Sequence, residues 1–394
     1  MKAPRHILPI IVFAQFCCTS LWFAGNGVMG DLIREFSLAE SALGHLTTAV
    51  QFGFISGTLF FAFFTISDRF PPARVFFFSA LFGAIFNLGL IWEVNSLSSI
   101  LGLRFLTGFF LAGIYPVGMK IAADYYEKGL GLSLGFLVGA LSLGTAFPHL
   151  AKEITQAYPW QAVLILTSSL ALLGGLLMLF FVPNGPYRVA SKALDLTAFM
   201  SVFRNREFRA ASYGYFGHMW ELYAFWAFVP LIIKTYYSQQ GIAFDNISIW
   251  SFSIIAFGGL ACILGGYLSK RFGAKPVART ALFISGICCI LSPLMFGLAI
   301  PALFLTFLLV WGFTVIMDSP LFSSLVANNA DASIKGTALT IVNCIGFAIT
   351  IISIQSLNVL NGQINPRYLF LILAFGPILG LLGLRTNSKI NEQQ

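Results

Sequence analysis

The chain has 394 residues, of which 58% are hydrophobic and only 10% charged, and its formal net charge is +8. A soluble domain carries about 25% charge, so this composition excludes a water-soluble enzyme or binding module and makes a lipid bilayer the solvent. Apolar runs of about 20 or more residues exclude a barrel of alternating ten-residue strands and leave membrane-spanning helices. The basic excess reads as loop lysine and arginine, not as a nucleic-acid surface.

Taken in chain order, Met1 to His6 has the charge of a signal-peptide start. No convincing cleavage site follows the next apolar run, so that run is expected to stay as a first span. Twelve spans are predicted, at 7–27, 42–66, 73–93, 97–119, 129–151, 161–182, 210–234, 247–269, 275–297, 300–324, 337–357 and 366–385. The longest polar connection contains Asn184-Gly185-Pro186, a turn signal, and ends in the basic Arg204-Asn205-Arg206. It divides the chain into an N-terminal six-helix half (1–183), a central linker (184–209) and a C-terminal six-helix half (210–394).

With the N-terminus inside, 18 of the 23 basic residues fall in cytoplasmic segments. Only Arg34, Lys152, Lys234 and Arg367 fall outside, and Arg104 lies within a span. The positive-inside rule therefore places both termini in the cytoplasm. The connections leave no room for a soluble catalytic domain, and no nucleophile, metal cluster or phosphate loop supports an enzyme or direct use of ATP. Cys17, Cys18, Cys262, Cys288, Cys289 and Cys344 all sit in apolar runs and read as small packing residues. No cofactor or metal is expected.

The two halves repeat each other. Ala123-Asp124 with Lys128-Gly129 and Ala330-Asp331 with Lys335-Gly336 both read A-D-x-x-x-K-G, about 207 residues apart, in a short connection between apolar runs. Gly108 and Pro116 correspond to Gly312 and Pro320, Arg69-Phe70 to Arg271-Phe272, and Gly139 to Gly346. A membrane protein of two similar halves has a natural site between them and a natural way to move.

Between spans 2 and 3 the chain reads Asp68-Arg69-Phe70-Pro71, with Arg74 following. Between spans 8 and 9 it reads Gly266, then Lys270-Arg271-Phe272-Gly273, then Lys275. With twelve spans and a basic central loop, these two imperfect copies resemble the loop pattern G-x-x-x-D-R-x-G-R-[RK] of the major facilitator superfamily (MFS). The resemblance covers essentially the whole chain and implies an all-α integral membrane fold of twelve helices in two pseudo-symmetric halves. It also implies that Asp68 and Arg69, with Arg271 in the second copy, form a conformational latch. Span 4 resembles a second family pattern through Arg104, Gly108, Ala112 and Gly113, and such an arginine is tied to proton transfer in proton-linked members. Gly131, Gly135, Gly139 and Gly144 in span 5 resemble the antiporter pattern weakly and read better as close helix packing.

Few ionisable groups remain at depth: Arg104, Glu221 and Asp318, with His218 beside Glu221. A charge at the bilayer centre costs roughly 2.5–3.5 kcal/mol on insertion scales, so each should face protein or a watery cavity. Glu221 is expected near the midplane, with His218 one turn earlier on the same face. The expected proton-coupling groups are Glu221, His218, Arg104 and Asp318, and a static ion pair of Glu221 with Arg104 or His218 is the alternative. Arg104 is expected either to clamp an anionic substrate group or to neutralise Glu221. Asp318 precedes Pro320, where a kink would make either a gate or a repaired helix.

Candidate substrate-binding residues are Arg104, Glu221 and Tyr115, with Trp22 and Gln15 on span 1 and Gln51 on span 2. Trp311 on span 10 and Asn343 on span 11 complete a polar pathway. Asn87, His45 and His149 carry little information. The expected function is secondary active transport of a small polar solute, an organic anion or zwitterion, by alternating access with proton coupling. The alternatives are proton-driven efflux of hydrophobic or cationic compounds and, from another class, a transporter-like ligand sensor. The expected partners are the solute, protons and membrane lipids, with no nucleic acid. The expected state is a monomer in a plasma membrane of bacterial inner-membrane type.

Overall fold

The computed structural model describes residues 4–126, 130–188, 203–331 and 335–385, with side chains in span 5 described from 133 onward. Lys2, Lys128, Gly129, Lys192 and Lys389 lie outside the described residues, as does the side-chain environment of Gly131. Among the described residues, 11 helices are long and apolar enough to cross a membrane, and the shorter apolar helix Ile7–Thr19 precedes them. The chain is thus the all-helical, twelve-crossing structure its composition demands.

Span 1 departs from the prediction of one helix over 7–27. It runs as Ile7–Thr19, breaks, and resumes as the short helices Ala24–Gly27 and Met29–Glu35. Spans 4 and 10 are also broken. Span 4 consists of Leu97–Leu111 and Tyr115–Tyr125, and span 10 of Pro301–Met317 and Ser319–Asn329. In both, a proline at the second position of the second piece starts the new helix, because it lacks the N–H that a continuing helix would need. Ala123 and Asp124 therefore sit in the last turn of a helix and not in a loop.

The remaining spans are Ala42–Phe63, Pro72–Ile91, Leu130–Ile154, Gln161–Phe181, Arg206–Gln239, Ile247–Phe272, Ala274–Gly297, Lys335–Leu360 and Pro366–Gly383. Span 7 is longer than predicted. Asn205 caps its start by accepting from the backbone N–H groups of Glu207 and Phe208. The loop after span 8 turns at Gly273, whose φ of +86° suits glycine. The matching loop after span 2 has Pro71 there and makes its left-handed turn earlier, at Thr65 with φ +49°.

The repeated glycines do the same work in each half. A side chain on Gly108 of span 4 would strike the carbonyl of Val50 on span 2. One on Gly312 of span 10 would strike the carbonyl of Ile254 on span 8. The halves meet along two seams. Spans 5 and 8 cross where Gly139 and Gly259 face each other's carbonyls at about 3 Å from a built Cβ. Spans 2 and 11 meet at the end opposite the Asp68 loop, where Gln355 Nε2 donates to Thr48 Oγ1 (2.7 Å) and to the Gly44 carbonyl (3.2 Å), and Asn358 Nδ2 donates to the Ser41 carbonyl (3.1 Å). The exterior is apolar, with Phe180, Leu260, Phe283 and Ile352 each more than half exposed, as a lipid-facing surface requires.

Candidate functional site

Glu221 lies near the middle of span 7 and is fully buried. Its carboxylate accepts from three side chains on spans 9 and 10. Oε2 accepts from Ser285 Oγ at 2.9 Å, and Oε1 from Trp311 Nε1 at 2.6 Å and Cys289 Sγ at 3.2 Å. The group is therefore turned into the second half and held by neutral donors. One turn earlier, His218 Nδ1 stands 2.7 Å from Asp318 Oδ1, with both side chains buried. The contact is at ion-pair distance but off hydrogen-bond geometry, and His218 Nε2 and Asp318 Oδ2 have no hydrogen-bond partner among the described residues. The break in span 10 falls at Asp318 itself, which caps the helix Ser319–Asn329.

The expected pairing of Glu221 with Arg104 or with His218 is thus replaced. His218 meets Asp318, and Arg104 belongs to the other half. Its Nη1 donates to the Leu21 carbonyl (3.2 Å) and Asn87 Oδ1 (3.4 Å), and its Nη2 donates to the Trp22 carbonyl. These carbonyls lie where span 1 breaks, the Leu21 carbonyl keeping one long backbone bond from the Ala24 N–H (3.4 Å), and a fork of guanidinium donors suits them. Gly25 leaves room for the side chain, since a Cβ there would stand 3.3 Å from Arg104 Nε. Asn87, to which sequence reasoning gave no weight, carries the network onward by donating to Thr167 Oγ1 (3.2 Å) and Ser168 Oγ (2.9 Å) on span 6. A lone asparagine among phenylalanines gave no signal beyond its rarity at depth.

Between the halves lies an aromatic plug. Trp22 stacks on Tyr223 of span 7 (centroids 5.5 Å apart) and on Phe347 of span 11 (5.7 Å), while Phe54 of span 2 packs on both Trp22 and Phe347. Phe23 meets Trp226 edge-on at 6.4 Å. Beside this contact, Trp22 Nε1 and Trp226 Nε1, and Gln51 one turn before Phe54, are buried with no hydrogen-bond partner among the described residues. The amide of Gln15 is also buried and unpartnered, but it points toward Gly118 within the first half. Asn343 accepts from the Tyr215 hydroxyl at 2.9 Å, and Tyr115 is partly buried at the start of the second helix of span 4.

Toward the Asp68 end, Thr58, Thr65, Asp68, Thr337 and Thr340 line a cavity of about 150 Å³ between spans 2, 4 and 11. Asp68 forms an ion pair with Lys120 of span 4, a residue that sequence reasoning counted only as a loop charge. Arg69 donates to Thr65 in its own loop (3.1 Å), and Arg271 lies over the Phe272 ring, so neither is joined to the Asp68–Lys120 pair. Arg188, just after span 6, donates instead to the carbonyls of Asp68 (2.9 Å) and Phe70 (3.1 Å).

A broken first span, paired breaks in spans 4 and 10, and matched glycine crossings in each half are the marks of one architecture, and the family model described as Major Facilitator Superfamily matches residues 11–354. The chain belongs to the major facilitator superfamily. An MFS structure, a proton:xylose symporter bound to 6-bromo-6-deoxy-D-glucose, superposes with a TM-score of 0.75 over 95% of this chain and 94% of that one, at 14% identity. This MFS chain is 23% identical over 282 residues to a bicyclomycin resistance protein homolog of Haemophilus influenzae, covering 67% of each. It is 27% identical over 198 residues to the sialic acid transporter NanX of Escherichia coli (48% of this chain, 47% of that one). It is 25% identical over 199 residues to a galacturonate transporter of Dickeya chrysanthemi (45% and 56%). The matches thus span about two thirds of the first relative and about half of the other two. As an MFS protein it is a multi-pass membrane transporter.

Proposed function

We propose that this transporter moves a small polar solute by alternating access, coupled to protons held in its second half. Both termini lie in the cytoplasm of a bacterial inner membrane, as the loop charges indicate. The observation that carries the reading is the buried set Glu221, His218 and Asp318 on spans 7 and 10. Isolated charge at this depth is costly, so each protonation state is linked to its surroundings. His218 and Asp318 have buried side-chain atoms without hydrogen-bond partners among the described residues, and Glu221 sits one turn away with its oxygens on groups from spans 9 and 10. A rigid-body shift of span 10 against span 7 alters both sets of contacts together. The seam that Gln355 and Asn358 of span 11 make against span 2 closes the outer side, and the cavity by Asp68 is the cytoplasmic route.

The test is reconstitution with a pH-sensitive dye inside the vesicles. Addition of a transported solute acidifies or alkalinises the lumen in wild type. Glu221→Gln and Asp318→Asn retain solute exchange but lose the pH signal and accumulation against a gradient. Gradient-driven transport that survives both substitutions would remove the proton role.

Efflux is the second reading, favoured by the resistance protein among the relatives and by the aromatic plug. The organic-anion reading drew on Arg104, whose two Nη atoms donate to the Leu21 and Trp22 carbonyls and to Asn87 Oδ1, leaving only Nε without a partner among the described residues. The named acids of two relatives, sialic acid and galacturonate, keep carboxylates among the solutes to be tested.

A further inference from the structure

We infer that the solute binds between the halves as an uncharged molecule. It would be rich in carbonyl or hydroxyl oxygens and carry one ring or apolar face. The inference rests on the transport reading above and names the substrate class of that site.

Thr47, Gln51, Phe54 and Thr58 form one buried stripe of span 2, at the spacing that puts them on one helix face. Its ends are accounted for. Thr47 accepts from Asn26 Nδ2 at 2.8 Å, and Thr58 lines the cavity that opens toward the Asp68 loop. Phe54 packs on Phe347 of the opposite half, which places the stripe on the boundary between the halves. Gln51 lies between them with both amide atoms buried and unpartnered. Along the same boundary, the indole N–H of Trp22 and the hydroxyl of Thr58 in the first half and the indole N–H of Trp226 in the second are likewise buried without partners among the described residues.

A buried polar group left unpaired costs about 1–3 kcal/mol, and native proteins hold few of them. Four such side chains along one inter-half face are explained if a transported molecule is their partner. Their chemistry defines it. The amide and the two indoles give N–H donors, the amide and hydroxyl give acceptors, and none carries charge. The flat walls are Trp22, Tyr223 and Phe347, suited to stacking on a ring.

A net charge has no counterpart at this face. Arg104 is bound through both Nη atoms to Leu21, Trp22 and Asn87 and its remaining Nε lies against Gly25 within the first half, the carboxylate of Glu221 is turned to spans 9 and 10, and His218 and Asp318 face each other. A carboxylate or ammonium left here would be buried without a partner, at a cost that two or three neutral hydrogen bonds do not offset.

The test uses purified protein and matched probes that differ in charge: galactose against galacturonate, 4-hydroxybenzyl alcohol against 4-hydroxybenzoate, and a cyclic dipeptide against its linear form. Uncharged members are expected to raise the melting temperature of wild type. Trp22→Phe keeps the ring and loses the N–H, and should weaken that binding about tenfold, one hydrogen bond's worth. Gln51→Leu should abolish the shift while leaving the ligand-free melting temperature equal or higher, since an unpaired amide has been removed. A panel in which only the charged members bind, or nothing uncharged binds, overturns the inference. So does a ligand-free Gln51→Leu protein that melts several degrees lower, because the amide would then be structural. An uncharged probe that binds but moves no protons, with Glu221→Gln without effect, would remove the coupling and leave the substrate class standing.

Discussion

Arg104 donates to the carbonyl of Trp22, 82 residues earlier, at the place where span 1 ceases to be a helix. The same guanidinium reaches Leu21 and Asn87, so one side chain ties spans 1, 3 and 4 at the core of the first half. A residue that looks like a substrate clamp in isolation is, in the fold, the cap of a broken helix.

Replacing it should therefore be felt first in stability. Arg104→Lys keeps the charge, but one compact ammonium cannot span three acceptors. We expect a loss of about 3 kcal/mol, the range for a buried charge deprived of its partners. Thermal unfolding in detergent would show it as a drop of several degrees. Unchanged melting with selective loss of anion transport would return Arg104 to the role of a clamp.

Gly108 and Gly312 should be equally intolerant of a side chain. Gly108→Val and Gly312→Val each drive a branched group into a backbone carbonyl of the neighbouring span. Both should lower the yield of folded protein severely. Gly266→Ala, which meets nothing within 4 Å, should be neutral and serves as the control.

At Glu221 the kind of replacement matters. Glu221→Gln retains an acceptor for Trp311 Nε1 and can exchange hydrogen bonds with Ser285, so it should fold close to normally. Glu221→Ala leaves the donors of Ser285, Cys289 and Trp311 without their acceptor. The Trp311 N–H alone should cost about 1–3 kcal/mol. Comparing the two melting curves separates the structural share of this site from the coupling share read by proton flux.

The seam between spans 2 and 11 should respond to a wedge. Asn358 sits against Gly44 so closely that any side chain there collides with it. Gly44→Leu should push the seam apart and raise labelling of Thr48→Cys by a membrane-impermeant thiol reagent several-fold. Background labelling stays low, because five of the native cysteines are buried and Cys344 is half-buried. Equal labelling with and without the wedge would show that this contact does not hold the side shut.

The architecture was legible before any coordinates. Backbone groups in hydrocarbon must be satisfied within a helix, so apolar length translates directly into crossings. The spacing of Gly108 and Gly312, and of Pro116 and Pro320, marked the repeat, and Pro320 marked the kink in span 10, but the matching break in span 4 was not foreseen. The break in span 1 was not legible. Thr19 to Trp22 contains no proline or glycine, and where the chain stops being helical Arg104 donates to the Leu21 and Trp22 carbonyls and Ser20 Oγ to the Cys17 carbonyl.

The sequence by itself determined that Arg104, His218, Glu221 and Asp318 would be buried against protein, because charge facing lipid at that depth is too costly. Only the tertiary structure decided which of them meet. His218 and Glu221 share a helix face one turn apart, yet His218 turns to Asp318 and Glu221 to Ser285, Cys289 and Trp311. Helical spacing constrains which side chains share a face. It carries no information on which neighbouring helix arrives to meet them, and that depends on how spans distant in sequence pack through their glycine crossings.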